Sequence, residues 1–383
     1  MRDPRAYAAE GRNDPHSPQQ RGEHPYDFVS LPDRPAQGQA ILHHRIPKDR
    51  WSGTLRLVYR LETPLHVGSG VFENAKDLGL SNRDQPVRGI VRSADRPVLP
   101  GSSWKGVVRS RFEAITNSRF ALAPRTRAED EAKVPQALWK GKGKHHFDLR
   151  DSRLSALAPL KTVRRPSDLA SASPADAVFG CMGYLGRVAP SEGVIEGPRA
   201  KNPLLVPALE SPQPHRLAQP GGLQHEQGVR YSITRVEGRK FYYDGDIRHS
   251  DSPRSQLPGQ SDRDRDREPA WEPVDQVPAG STITLEVAVR SLSEAEIGTL
   301  LVAAGHGDDV GIVRLGGYKS AGLGKAVLVE TTARLHRGPG ARSWRRDDPE
   351  AFDLESAIAE GRASLIDRGR LAELHQVTTM RRP

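Results

Sequence analysis

Hydrophobic and polar positions alternate in TLRLVYRL, placing Leu55, Leu57, Tyr59 and Leu61 on one face and Arg56 and Arg60 on the other. Period 2 predicts a strand with one buried side. In GSSWKGVVRSRFEAITNSRF the spacing becomes helical, with Trp104, Val107, Val108, Phe112 and Ile115 in one stripe behind Ser102 or Ser103 as N-cap. Between them, Gly68 to Gly101 is long, polar and turn-rich. It reads as a loop or hairpin projecting from the sheet edge, and long connections inside a compact unit tend to be functional. The same order returns near the C-terminus. STITLEVAVRS alternates Ile283, Leu285, Val287 and Val289, and the next helix starts with a capping box, Ser293 with Glu296, inside a staple of Leu292 and Ile297. That helix runs to GHGDD, and VGIVRL and KAVLVE follow as strands around a glycine-rich turn. Two β-α-β units predict an α+β fold, a ferredoxin-like or RRM-like antiparallel sheet with both helices on one face and the other face free. A short strand at MGYLGRV (Met182 to Val188) is expected to complete the pairing, and the residues from about Ser343 read as charged and weakly helical.

Composition divides this picture into packed and unpacked parts. Sixteen of the 31 prolines lie in residues 1–50 and 201–276, and the second region contains the alternating charges of SDRDRDRE, Ser261 to Glu268. Such segments bury too little to offset their ordering entropy. The expected organisation is a flexible arm (1–50), a first palm half (51–200) whose loop spans about 68–101, and a thumb-like, partly disordered insertion (201–276). A second half with the glycine-rich hairpin (277–335) and a charged extension (336–383) complete it. No run approaches 18 apolar residues and the N-terminus lacks an apolar signal core, so the expectation is a soluble, cytoplasmic protein with no membrane partner. Cys181 stands alone, which excludes an internal disulfide and a cysteine-rich zinc site.

The net charge of +9 makes nucleic acid the first partner to consider, and it is concentrated: Arg83 to Arg119 holds eight basic and three acidic side chains in 37 residues. Lys105, Arg109 and Arg111 sit on or beside the helix that opens with GSS, where cations and free N–H groups together suit a phosphate backbone; solvated helix-face charges are the alternative. GGYKSAGLGK (Gly316 to Lys325) lacks the Walker A spacing and is followed by a strand, so it fails as a nucleotide-binding loop. It reads either as an anion nest for RNA phosphates, built on Gly316, Gly317, Lys319, Ser320, Gly322, Gly324 and Lys325, or as a hairpin that simply needs glycine. His145, His146, His215 and His225 lack metal-ligand spacing, so no zinc is expected. Tyr242 and Tyr243, beside Arg239 and Lys240, are candidates to stack on or wedge RNA.

LETPLHVGSG (Leu61 to Gly70), VLPGSSWKGVVRSRFEAI (Val98 to Ile115), FGCMGYLGRV (Phe179 to Val188) and LGGYKSAGLGK (Leu315 to Lys325), in this order, resemble the RAMP superfamily of CRISPR-associated proteins. More narrowly they resemble the backbone-type subunits of type III effector complexes. DFVSLP, ITNSRF and GRKFYYDG resemble a larger, insertion-bearing branch of that group. The resemblance implies an RRM-like palm that carries guide RNA across its helix face and glycine loop, with Ser102, Ser103, Lys105, Arg109 and Arg111 among the contacts. It also implies an aspartate, just before a Pro-Val pair, that cleaves paired target RNA at regular intervals. NRDQPVRG puts Asp84 in that place, with Asp77 and Asp95 as back-ups, although an Asp between Arg83 and Arg88 also fits a salt-bridged turn. Cleavage with Mg²⁺ or Mn²⁺ and no nucleotide cofactor is the expected chemistry, and guide RNA, target RNA, other effector subunits and adjacent RAMP subunits are the expected partners. The competing functions are an inactive RNA-binding scaffold and a guide-processing endoribonuclease with His66 as its base.

Overall fold

The computed structural model describes residues 25–44, 46–121, 146–149, 151–208, 223–226, 230–245, 271–339 and 349–381. Strands β1 (Tyr26–Ser30), β2 (Trp51–Leu61), β3 (Gly68–Asn74), β4 (Pro86–Ile90), β5 (Arg92–Ser93) and β6 (Arg96–Leu99) precede helix α1 (Gly101–Ile115). Next come β7 (His146–Leu149), α2 (Ser152–Ala156), α3 (Pro174–Phe179), β8 (Val188–Pro190), β9 (Gly193–Glu196) and β10 (Leu204–Pro207). β11 (Leu223–Glu226), β12 (Arg230–Ile233), β13 (Gly238–Tyr242) and β14 (Trp271–Val274) lead to β15 (Thr282–Leu292) and α4 (Glu294–Ala304). The chain continues through β16 (Val313–Arg314), β17 (Lys325–Arg337), α5 (Leu354–Ser364) and α6 (Arg368–Thr379).

The central sheet places β2 between β17 and β15, with β8 and β9 on the far side of β15, all antiparallel. This is the ferredoxin-like order that two β-α-β units require. The register follows from the alternation: Leu55 faces Val287, Leu57 faces Leu285 and Tyr59 faces Ile283, and all six are buried. The opposite face of β15 is exposed at Glu286, Ala288 and Arg290. Helices α1 and α4 join over the buried face. Trp104 Nε1 donates to Tyr59 Oη at 3.0 Å, and Tyr59 Oη donates to the Ala304 carbonyl at 2.8 Å, so one strand hydroxyl ties both helices to the sheet.

Several expectations change. Pro100, not Ser102 or Ser103, is the N-cap of α1, and no side chain caps it. MGYLGRV is not a strand: Cys181 and Tyr184 exchange backbone hydrogen bonds in a tight turn, and pairing with β15 begins at Val188. Part of the arm is ordered by the chain itself, because β1 pairs with β13 over Tyr26 to Tyr242. GRKFYYDG thus supplies the second strand of a two-stranded ribbon with β1. The run Ser261 to Glu268 lies outside the described residues.

The C-terminal segment departs most from its charged reading. Helices α5 and α6 put Ile358, Leu371 and Leu374 into the main core, and every residue from Glu296 to Ala304 in α4 is buried. Where α4 meets α5 the backbones touch: a Cβ on Gly298 would strike the Ala357 carbonyl, and one on Gly361 would lie 2.7 Å from Thr299 N. Gly298→Ala gains about 1 kcal/mol of helix propensity, but the obstacle is backbone and cannot rotate away, so overpacking of about 1–3 kcal/mol wins. The expected result is faster hydrogen exchange in residues 354–379 with β2 and β15 unchanged.

Candidate RNA-cleavage loop and glycine loop

The loop between β3 and β4 is organised by its own residues. Ala75, Leu80 and Val87 bury a small apolar cluster against Ala200, and Ala75 N donates to the Gln85 carbonyl at 2.9 Å. Asn74 closes it: its Oδ1 accepts from Lys76 N at 3.1 Å, and its Nδ2 donates to Asp84 Oδ1 at 2.9 Å. Lys76 Nζ stands 3.6 Å from Asp84 Oδ2, while the Asp84 side chain stays 72% exposed. Asp84 is thus held in place and open to solvent. Asp77 is exposed in the turn of the same loop. Asp95 belongs to a different feature, the β5–β6 turn, where Ala94 (φ 46°) and Asp95 (φ 64°) are both left-handed; Asp suits that conformation, so the turn accounts for it.

Fixed ion pairs join this hairpin to the glycine loop. Arg88 makes a two-pronged contact with Glu272 (2.8 and 3.0 Å), and Tyr318 Oη donates to the same carboxylate at 2.7 Å. Arg88 and Tyr318 hold the Glu272 carboxyl below the usual range. Arg92 bridges Glu73 and the buried Asp275. His66 is buried under the same group, with Nδ1 2.8 Å from the Asp275 carbonyl and its ring edge-on to Tyr318, and burial lowers its pKa.

The glycine loop turns much of its polarity inward. Gly317 N donates to the His66 carbonyl and Gly324 N to the Pro64 carbonyl, both at 2.8 Å, while Gly322 O accepts from Thr63 and Arg314. Gly316 (φ 70°) and Gly324 (φ 78°) are left-handed; a Cβ on Gly316 would strike the His66 carbonyl and one on Gly324 the Leu315 carbonyl, so the first serves close packing of the loop on the LETPLH segment and the second the closing of the loop on itself. Lys325 is taken up by Glu62 and Asp244, each at 3.1 Å. Ser320 is half-buried. Lys319 differs: its carbonyl accepts from Gly322 N, but its side-chain amine makes no hydrogen bond or ion pair among the described residues, and burial, with a smaller contribution from the Arg314 charge, pushes its pKa down to about 8. At neutral pH the amine still carries its charge, with no acidic partner among the described residues.

The α1 cations do not form a phosphate-facing row. Arg111 is buried and turned to the carbonyls of Ala303, Val310 and Ile312, with burial pushing its guanidinium down to about 10. Arg109 holds Glu113 at 2.8 Å and the Gly180 carbonyl at 2.9 Å, and Lys105 Nζ donates to the Val188 carbonyl at 2.8 Å. Arg119 likewise binds main-chain carbonyls. Most of the basic cluster is therefore internal, and Arg83 and Arg96 remain exposed. Ser102 is exposed on the first turn of α1 and Ser103 is half-buried. Arg239 is a further correction: it is buried between Glu113, at 2.8 Å, and the Phe120 ring. Lys240 caps the Tyr26 ring at 3.7 Å and lies 4.9 Å from that of Tyr242. The ribbon meets the glycine loop through Asp244, which pairs with Lys325 and Arg314.

Among the described residues, no group of three or more His, Cys, Asp and Glu side chains could hold a metal ion. Asp84 is a single carboxylate with an amide and an ammonium for neighbours, so it is the one ligand that this pair of contacts leaves for a divalent cation. Among the described residues no helix is long and apolar enough to cross a membrane. Sequence reasoning missed Glu272, Asp275 and Tyr318. The first two lie in the segment read as a loose insertion, and Tyr318 was hidden by the glycines around it.

A family model described as the RAMP superfamily matches residues 58–327. One similar solved structure is a type III-B Cmr-beta complex bound to cognate target RNA, at 13% identity and a TM-score of 0.34. That likeness covers 75% of this chain, and the chain spans 61% of the length of the matched one. Among curated proteins nothing matches.

Proposed function

The chain belongs to the RAMP superfamily, and we propose that it is a guide-RNA-binding backbone subunit of a type III CRISPR effector complex that cuts complementary target RNA at regular intervals. The observation that carries this reading is Asp84: an exposed carboxylate, fixed by Asn74 and flanked by Lys76, on an ordered loop just before Pro86-Val87. RNA carries its own nucleophile. If the backbone is bent so that a 2′-OH lies in line with the leaving 5′-oxygen, a positioned carboxylate orients the hydroxyl and takes its proton. The 2′-oxygen then bonds to phosphorus as the P–O5′ bond breaks, and the leaving 5′-oxygen takes a proton from solvent water, giving a 2′,3′-cyclic phosphate and a 5′-OH. Lys76 is placed to offset charge on the phosphate. No step is routed through a metal.

Guide RNA would lie along the glycine loop, with Lys319 as its phosphate contact. The layer formed by α1 and α4 is a poor seat for it, because α5 packs on α4 and α6 packs on α1. The buried, hydrogen-bonded His66 gives the guide-processing alternative no accessible base. Sequencing the RNA that copurifies with the protein, then adding a complementary RNA, tests the proposal. Repeat-derived guides and target fragments at regular intervals ending in cyclic phosphate are expected. Bound guides without such fragments would leave the inactive scaffold.

A further inference from the structure

We infer that Phe72, backed by Arg88, is a base-stacking platform that seats one RNA base beside the phosphodiester facing Asp84; the inference rests on the cleavage reading above. Phe72 lies on β3, the edge strand of the sheet β10-β14-β4-β3, and is 54% exposed. A lone exposed apolar side chain is ordinary. This one has a fixed partner: Arg88, directly across on β4, lays its guanidinium 4.8 Å from the ring centroid. Glu272 clamps that guanidinium, and Tyr318 clamps Glu272. The ring is therefore backed by a rigid cation on one side and open on the other, the arrangement that suits stacking on a nucleobase.

Placement supplies the second half of the argument. Phe72 and Asn74 are two residues apart on one strand, so their side chains share a face of the hairpin. Asn74 is the residue that holds Asp84. A base stacked on Phe72 would set its neighbouring phosphate over Asp84, with the exposed Lys76 and Arg83 alongside. Stacking tolerates any base, as it must where the guide selects the target.

The test uses the full effector complex with Phe72→Ala, Phe72→Leu and Phe72→Tyr, and target RNA carrying 2-aminopurine at single positions around one cut. In the unsubstituted complex one position next to the cut is expected to have quenched fluorescence. The quench is expected to persist in Phe72→Tyr and Asp84→Asn and to vanish in the Ala and Leu variants. Single-turnover cleavage should fall about tenfold to hundredfold in Ala and Leu, with subunit stoichiometry unchanged. A Leu variant that matches the unsubstituted complex in both readouts would overturn the platform. So would an Ala variant that changes subunit copy number, since the face would then belong to a neighbouring subunit. An Asp84→Asn complex that cleaves normally while the Phe72-dependent quench persists would sink the cleavage reading and leave the platform standing.

Discussion

Asp84→Asn is expected to lower target cleavage by about 10²–10⁴ while guide and target binding stay unchanged, the range a positioned general base contributes. The substitution is close to isosteric, and the oxygen of the new amide can still accept from Asn74 Nδ2, so the loop keeps its closing contact. What disappears is the negative oxygen that would take the 2′-OH proton. Asp77→Asn and Asp95→Asn serve as controls. Asp77 is exposed on the same loop, and Asp95 occupies a left-handed position of the next turn, which Asn also tolerates. Both should cleave within a few fold of the unsubstituted protein. Normal fragments from Asp84→Asn, with losses in Asp77→Asn, would transfer the role to Asp77. Fragment yield should be read in a single-turnover gel assay beside a filter-binding measurement, because only the pair separates chemistry from association.

The palm was legible because its signals are local. Alternation in β2 and β15, the stripe of α1 and the capping box of α4 are each contained within about a dozen residues, and each states which face is buried. The order of those elements leaves few topologies open. The candidate loops stood out for the same reason: Asp84, Pro86 and Val87 are neighbours in sequence, and so are the glycines of the 316–324 turn. The connections around them were not. Arg88 and Glu272 are 184 residues apart, and Arg92 and Asp275 are 183 apart. No periodicity announces such pairs. The charge count misled for a related physical reason, since a basic residue reads alike whether it faces RNA or, like Arg111, three main-chain carbonyls. The strings DFVSLP, ITNSRF and GRKFYYDG are far apart in sequence and converge in space. Arg239 joins Glu113 and the Ser118 carbonyl, while Arg370 joins Ser30 and Asn117.

Glu296→Gln is expected to cost about 3–5 kcal/mol, far more than the loss of a helix cap, because Glu296 does two jobs. The first is the one its sequence position announces: Oε2 accepts from Ser293 N at 2.9 Å, completing the capping box. The second comes from residues 246 and 109 positions away: Arg50 Nη1 donates to the same oxygen at 2.6 Å, and Arg187 pairs with both carboxylate oxygens. All three side chains are buried, with Arg187 at 2%, Glu296 at 6% and Arg50 at 7% exposure. Gln can keep the cap, since its amide oxygen still accepts from Ser293 N, but it leaves two buried guanidinium groups without a counter-charge. Ser293→Ala isolates the other half and should cost about 1 kcal/mol. The comparison is decisive because the two substitutions sit in one turn of one helix, and guanidinium-chloride unfolding reads both. A loss near 1 kcal/mol for Glu296→Gln would mean that Arg50 and Arg187 find water or new acceptors, and that the cluster is not what anchors the end of the arm to α4. A much larger loss than that of Ser293→Ala would identify the charge triad, rather than the cap, as the contact that fixes Arg50, at the end of the arm, against the palm.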